Sequence, residues 1–243
     1  MKIFTTLIKS LVLSLILAVP GYASSIYLSG DSNIFTTSED NEIFFQNVFN
    51  GKTVANYSSS SLSGLGTTAT VTNYGSGATV TSAGLGANDF MIFGYTRTSV
   101  SASELTAISN YVSGGGSLFL FGEGNTSFTS LNIAVNAILG AVGSSMSLST
   151  TLNLDLGGNN IQPLQNLVTT GSQTNGVNSW FTAYASFINL GSGTALISGT
   201  GNAGVNGVAI AVETSAVPVP AAFPLLLAAL GGLGLVGRRR KAS

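Results

Sequence analysis

An open, mostly parallel α/β sheet with helices on both faces and β-rich additions is the fold class this sequence predicts. Three observations predict it. Residues 89–121 read strand, helix, strand within 33 residues, the size of a right-handed βαβ unit. The runs Phe90–Phe93 and Leu118–Phe121 are apolar without interruption, as in strands buried on both faces. Two further segments, around 39–49 and 131–139, carry apolar residues at helical spacing. The alternative is an all-β sandwich, favoured by the Ser, Thr and Gly content and by the alternation over 146–156.

Taken in order, Ile26-Tyr27-Leu28 is a first strand opening onto Gly30-Asp31. Glu39, Asp40 and Glu42 begin a helix carrying Phe44, Phe45, Val48 and Phe49, with Lys52 after its end, a charge order that suits the helix dipole. Residues 58–88 are rich in Ser and Gly and read as hairpins or loops. In Ser101-Ala102-Ser103-Glu104, Ser101 is placed as N-cap and Glu104 as its capping-box partner. Leu105, Ile108, Tyr111 and Val112 follow at helical spacing, and Gly114 is placed as the left-handed stop. Leu105 and Ile108 are expected to cover Ile92 and Phe119. Ser130 is expected to cap a helix through Leu131, Val135, Ile138 and Leu139, stopped by Gly140. Residues 146–156 alternate as a strand with one wet face, and Thr194–Ile197 and Val208–Val212 close the core as strands.

Both ends read as addresses. Residues 1–23 have two lysines, an apolar run and the small-residue exit Gly21-Tyr22-Ala23, the order of a secretory signal cut by signal peptidase after Ala23. At the other end an apolar stretch from Ala222 to Gly237 is followed by Arg238-Arg239-Arg240-Lys241. A transmembrane helix there would keep its basic end cytoplasmic. The core is then residues 24–216. It holds all nine acids but only Lys52 and Arg97 of the eight bases, a formal charge of −7. No basic stripe is present, which argues against nucleic acid as a partner. With no Cys and no His in the chain, disulfides, thiol nucleophiles, His- or Cys-ligated metals and Ser-His catalysis are excluded.

Val217-Pro218-Val219-Pro220-Ala221, the apolar stretch and the arginine run together resemble the VPLPA type of PEP-CTERM sorting signal, with Val219 where Leu is usual. That resemblance covers residues 217–243. It implies a Gram-negative bacterium, processing by an exosortase, transient residence in the inner membrane, and delivery to the cell surface or extracellular matrix, where extracellular polysaccharide is a candidate partner. The alternative is a plain membrane anchor. Within the core, Asp89–Phe93, the helix over 101–112 and Gly114–Gly124 resemble the class I glutamine-amidotransferase-like superfamily, including its ThuA-like members. This implies a flavodoxin-like sheet for the core. The turn at Gly122-Glu123-Gly124 lacks the nucleophilic Cys of that superfamily, so its activity is not implied.

In open α/β sheets ligands sit beyond the carboxyl ends of the strands. Asp31, Tyr95, Arg97, Glu123 and Asn125 are therefore the candidate ligand-binding residues, with Glu123 reachable by solvent. Arg97 either holds a carboxylate or sugar hydroxyl, or pairs with Glu123 or Asp31. A carboxylate-dependent hydrolase using two of these acids is the remotest reading. Trp180, Phe181 and Tyr184 read as core packing, with a sugar-stacking platform as the alternative. No catalytic residue, metal site or cofactor is expected. Asp31, Asn33, Glu39 and Glu42 match some positions of a twelve-residue calcium loop, but Thr36 stands where the loop needs Gly.

Overall fold

The computed structural model describes residues 23–35, 39–124, 126–155 and 161–215. The expected sorting tail, the expected export segment up to Tyr22, and Asn125 lie outside the described residues. Among the described residues no helix is long and apolar enough to cross a membrane.

Five parallel strands form one half of an eight-stranded mixed sheet: β1 (Ser24–Ser29), β2 (Thr53–Tyr57), β3 (Thr70–Asn73), β4 (Phe90–Phe93) and β5 (Ser117–Phe121). Two small two-stranded sheets lie outside it. One pairs β6 (Ser147–Asn153) with β10 (Ser186–Asn189), the other β7 (Gln162–Pro163) with β9 (Phe181–Thr182). The large sheet continues antiparallel through β8 (Gln165–Thr169), β11 (Thr194–Thr200) and β12 (Asn206–Ser215). Its order is β3-β2-β4-β5-β1-β12-β11-β8.

The helices are α1 (Glu39–Phe49), α2 (Ser82–Leu85), α3 (Ala102–Ser113) and α4 (Thr129–Ala141). The all-β sandwich is thereby overturned: α1, α3 and α4 have 11, 12 and 13 residues and cover the sheet. The pleat divides the core. Ile26, Leu28, Met91, Phe93, Leu118 and Leu120 face α3 and α4, where Ile108, Val135 and Ile138 are buried. Tyr27, Phe90, Ile92, Phe119 and Phe121 face the opposite way, onto Phe44, Phe45 and Phe49 of α1. Ile108 therefore covers Met91 and Leu118, not Ile92 and Phe119, because successive strand residues point to opposite faces.

Local chemistry explains the element ends. Ser101 Oγ accepts from the Glu104 amide at 3.4 Å, and Glu104 Oε2 accepts from the Ser101 amide at 2.9 Å, closing the capping box. At the other end of α3, Gly115 rather than Gly114 takes the left-handed conformation, with φ of +101°. The Gly116 amide donates to Tyr111 O and the Gly115 amide to Val112 O, both at 3.0 Å, which is a Schellman closure one residue later than expected. Helix α4 starts at Thr129 with Ser130 already inside it, and runs through Gly140 to Ala141. Residues 58–88 form no hairpin; β3 lies parallel to β2. The alternation over 146–156 holds at Met146, Leu148 and Leu154, which are buried, but Leu152 is exposed. A register irregularity between β6 and β10 turns it outward.

Candidate functional site

Strands β1 and β5 are parallel neighbours, so the residues that follow them emerge side by side at the carboxyl end of the sheet. Asp31 and Glu123 come together there, as the sequence predicts. They do not face solvent: Asp31 is 1% and Glu123 2% exposed. The expectation of a solvent-reachable Glu123 is thus overturned, and the reason is a segment from elsewhere in the chain.

Residues 178–186 cross the ends of β1 and β5 as a strap. Ala183 N donates to Asp31 Oδ2 at 2.7 Å, and Ser186 N donates to Gly30 O at 2.8 Å. The Gly124 amide donates to Tyr184 O. Glycine is required at both approaches, since a Cβ on Gly30 would overlap Ser186 O and one on Gly124 would overlap Tyr184 O. Three side chains tie down the rest. Asp40 Oδ2 accepts from Asn178 N at 3.1 Å and from Ser179 Oγ at 2.7 Å. Asn41 Oδ1 accepts from Phe181 N at 3.0 Å, and Asp155 Oδ2 from Thr182 Oγ1 at 2.5 Å. Trp180 is fully buried against Phe44, which settles its role as core packing.

Beneath the strap the two carboxyls share donors. Asn33 N and Nδ2 donate to Asp31 Oδ1 at 2.6 and 3.0 Å, and the same Nδ2 lies 3.5 Å from Glu123 Oε2. Ser32 Oγ donates to Glu123 Oε2. Asn132 of α4 holds the backbone of Glu123, its Oδ1 accepting from Glu123 N at 3.0 Å and its Nδ2 donating to Glu123 O at 2.9 Å. Glu123 Oε1 is buried with no hydrogen-bond partner among the described residues.

Burial, opposed by the hydrogen bonds from Ala183 and Asn33, raises the Asp31 pKa to about 7. Burial and the charge of Asp31 together raise Glu123 to about 8. Neither base of the core neutralises them. Arg97 does not join the cleft or pair with Glu123 or Asp31. Its Nη2 contacts Glu104 Oε1 at 2.6 Å, its Nη1 donates to Ser76 O and Ala78 O at 3.1 and 2.5 Å, and it lies over the Phe93 ring. Burial pushes Glu104 up, but hydrogen bonds from the Ser101 and Val80 amides and from Arg97 outweigh it, and its pKa falls to about 2.

Tyr95 is partly exposed and stacks on Phe128 at 5.8 Å, outside the hydrogen-bonded cluster. Of the five sequence-predicted candidates, the structure thus brings together Asp31 and Glu123, separates off Tyr95 and Arg97, and leaves Asn125 outside its description. Ser32, Asn33, Asn132, Asp155 and Ala183 were missed. Asp31-Ser32-Asn33 carries an Asx-turn signal, and Asn132 falls on the apolar stripe of its helix, so two signals were legible. Among the described residues no group of three or more acids is placed to hold a metal ion.

A cavity of about 400 Å³ opens at the opposite end of the sheet, among Ser25, Tyr27, Lys52, Phe90, Ser117 and Gln173. Lys52 belongs to this cavity, at the amino ends of β1, β4 and β5.

Comparison with protein-family models, with curated proteins and with solved structures gave no match.

Proposed function

We propose that this chain is an exported cell-surface or extracellular-matrix protein with a non-catalytic core. Signal peptidase removes residues 1–23, the tail 217–243 holds the protein briefly in the inner membrane, and an exosortase processes it. The observation that carries the non-catalytic reading is the strap. The crevice where an open α/β sheet binds its ligands is filled by the chain's own residues 181–186, and the two acids beneath are turned inward. That position also weighs against the alternative readings, a hydrolase or a saccharide-binding module using Asp31 and Glu123 at that crevice. The export reading rests on the order of charge, apolar run and motif at both ends.

A flavodoxin-like ancestry for the sheet belongs to the same proposal. Counted from β2 as the first strand, the order β3-β2-β4-β5 reads 2-1-3-4 of the flavodoxin order 2-1-3-4-5. The fifth place is taken by β1, which comes first in this chain, so the correspondence is a circularly permuted one. Mass spectrometry of surface-associated protein tests the route. An amino terminus at Ser24 and no peptide containing Arg238–Lys241 are expected; an intact basic tail on the surface form overturns the sorting proposal.

A further inference from the structure

We propose that Asp31 and Glu123 form a coupled carboxyl pair that fastens the 178–186 strap over the strand ends and lets go of it as the pH rises. The proposal rests on geometry in the core alone and is independent of the route of export.

Two carboxyls are buried within reach of one Asn33 amide nitrogen, and one of their four oxygens has no partner among the described residues. Asp155, in the same buried region, is a third acid, and its charge bears on Asp31. The charged groups of the elements packed here are therefore Asp31, Glu123 and Asp155, with Asp40 at the far end of the strap; Tyr184 is the strap's own titratable group. The core's two bases are engaged elsewhere, Arg97 on Glu104 and Lys52 at the opposite end of the sheet. Two anions so placed repel each other, so the protonation of one depends on that of the other, and the pair loses its protons in coupled steps.

The strap is linked to the protonation of the pair by burial: it lies over both carboxyls, with Ala183 N donating to Asp31 Oδ2. Although that bond favours the charged form, the loss of water beneath the strap outweighs it. The strap also carries strain of its own. Trp180 Nε1 is buried without a partner among the described residues, and Tyr184 is held at φ of +60°. Releasing it returns water to both carboxyls and uncovers the carboxyl ends of β1 and β5.

The sign follows from linkage. Both carboxyls bind their protons more tightly when the strap is closed than a solvated carboxyl does. The closed form therefore holds extra protons between the ordinary carboxyl range and about pH 7–8, and closure weakens as pH rises through that window. Each extra proton makes opening about tenfold more favourable per pH unit.

Hydrogen exchange on the core between pH 6 and 8, corrected for the intrinsic pH dependence, reads this. The Ala183 and Ser186 amides are expected to lose protection about tenfold per pH unit, while the Phe119 amide in β5 keeps its own. In Glu123→Gln, which keeps the shape and removes one titrating carboxyl, the slope at Ala183 is expected to become shallower but not to vanish, because burial still raises Asp31. Flat protection in the native protein, or a slope at Phe119 equal to that at Ala183, overturns the proposal, and both are read without the variant. An undiminished slope in Glu123→Gln overturns it as well.

Discussion

Arg97 is the residue whose neighbours say most about how this core tolerates charge. With its partner Glu104 it is among the most buried charges in a chain with only 7% charged residues. Glu104 serves three purposes at once: it closes the capping box of α3, accepts the Val80 amide and pairs with Arg97. Arg97→Met leaves that carboxylate buried without its countercharge and is expected to cost about 3–5 kcal/mol in denaturant unfolding. Because the Glu104 pKa is lowered from 4.5 to about 2, its contribution is complete above the ordinary carboxyl range and is lost as pH falls toward about 2. Glu104→Gln should therefore flatten the acid side of the stability profile and leave the alkaline side, governed by Asp31 and Glu123, in place. The capping role of Glu104 was readable from four consecutive residues. Its ion pair with Arg97, seven residues away, was not, because Arg97 sits in the irregular loop between β4 and α3, whose path back over Glu104 no periodic pattern announces.

At the scale of elements, the long helices were legible and the strap was not, for a physical reason. Each helix is specified by its own caps and its own apolar stripe, all within about a dozen residues. The strap is held by Gly30, Asp31, Asp40, Asn41 and Asp155, five positions far away in the chain, and its own sequence has no period to announce it. Helix registry against the sheet was equally hidden, which is why Ile108 was assigned to the wrong face. It remains fully buried, so Ile108→Ala is expected to cost about 2–5 kcal/mol from lost transfer energy plus the cavity left behind. Gly140 sits exposed in the last turn of α4 with open space around its Cα. Gly140→Ala is expected to stabilise by about 0.5–1 kcal/mol through helix propensity. Thermal unfolding of the two variants checks both, and a harmless Ile108→Ala would mean that α3 is not packed on the sheet.

For the whole molecule, the topology places the first strand beside the last. Ser24 is opposite Ser215, and β1 is enclosed between β5 and β12. Local pattern located these strands without ordering them: the parallel β4–α3–β5 unit was apparent from its spacing, whereas the insertion of β1 beyond β5 depends on contacts about 90 and 190 residues away in the chain, the kind of separation that slows folding. The candidate site inherits this division. Asp31 and Glu123 were found because each follows a recognisable strand. Their burial was not foreseen, because the covering segment returns from the antiparallel half of the chain.

The pairing of Ser24 with Ser215 also has a mechanical consequence. All six residues of β1 pair with the last six of β12, and β11 flanks β12 on its other side. A load applied at Ser215 and resisted at the far rim of the sheet, near Ser59, has a large component along the strand axis, because the two points lie at opposite ends of the strands, with a sideways component because β2 and β12 are four places apart. The bonds between β12 and its neighbours then share the shearing part of the load. A load separating Ser24 from Ser215 acts instead on one end of the ladder and breaks its bonds one after another. Single-molecule pulling should accordingly give a clearly higher rupture force between positions 59 and 215 than between 24 and 215. A protein tethered through its carboxyl end and tugged from its outer rim would be loaded in shear at β12 and would not be peeled from one end.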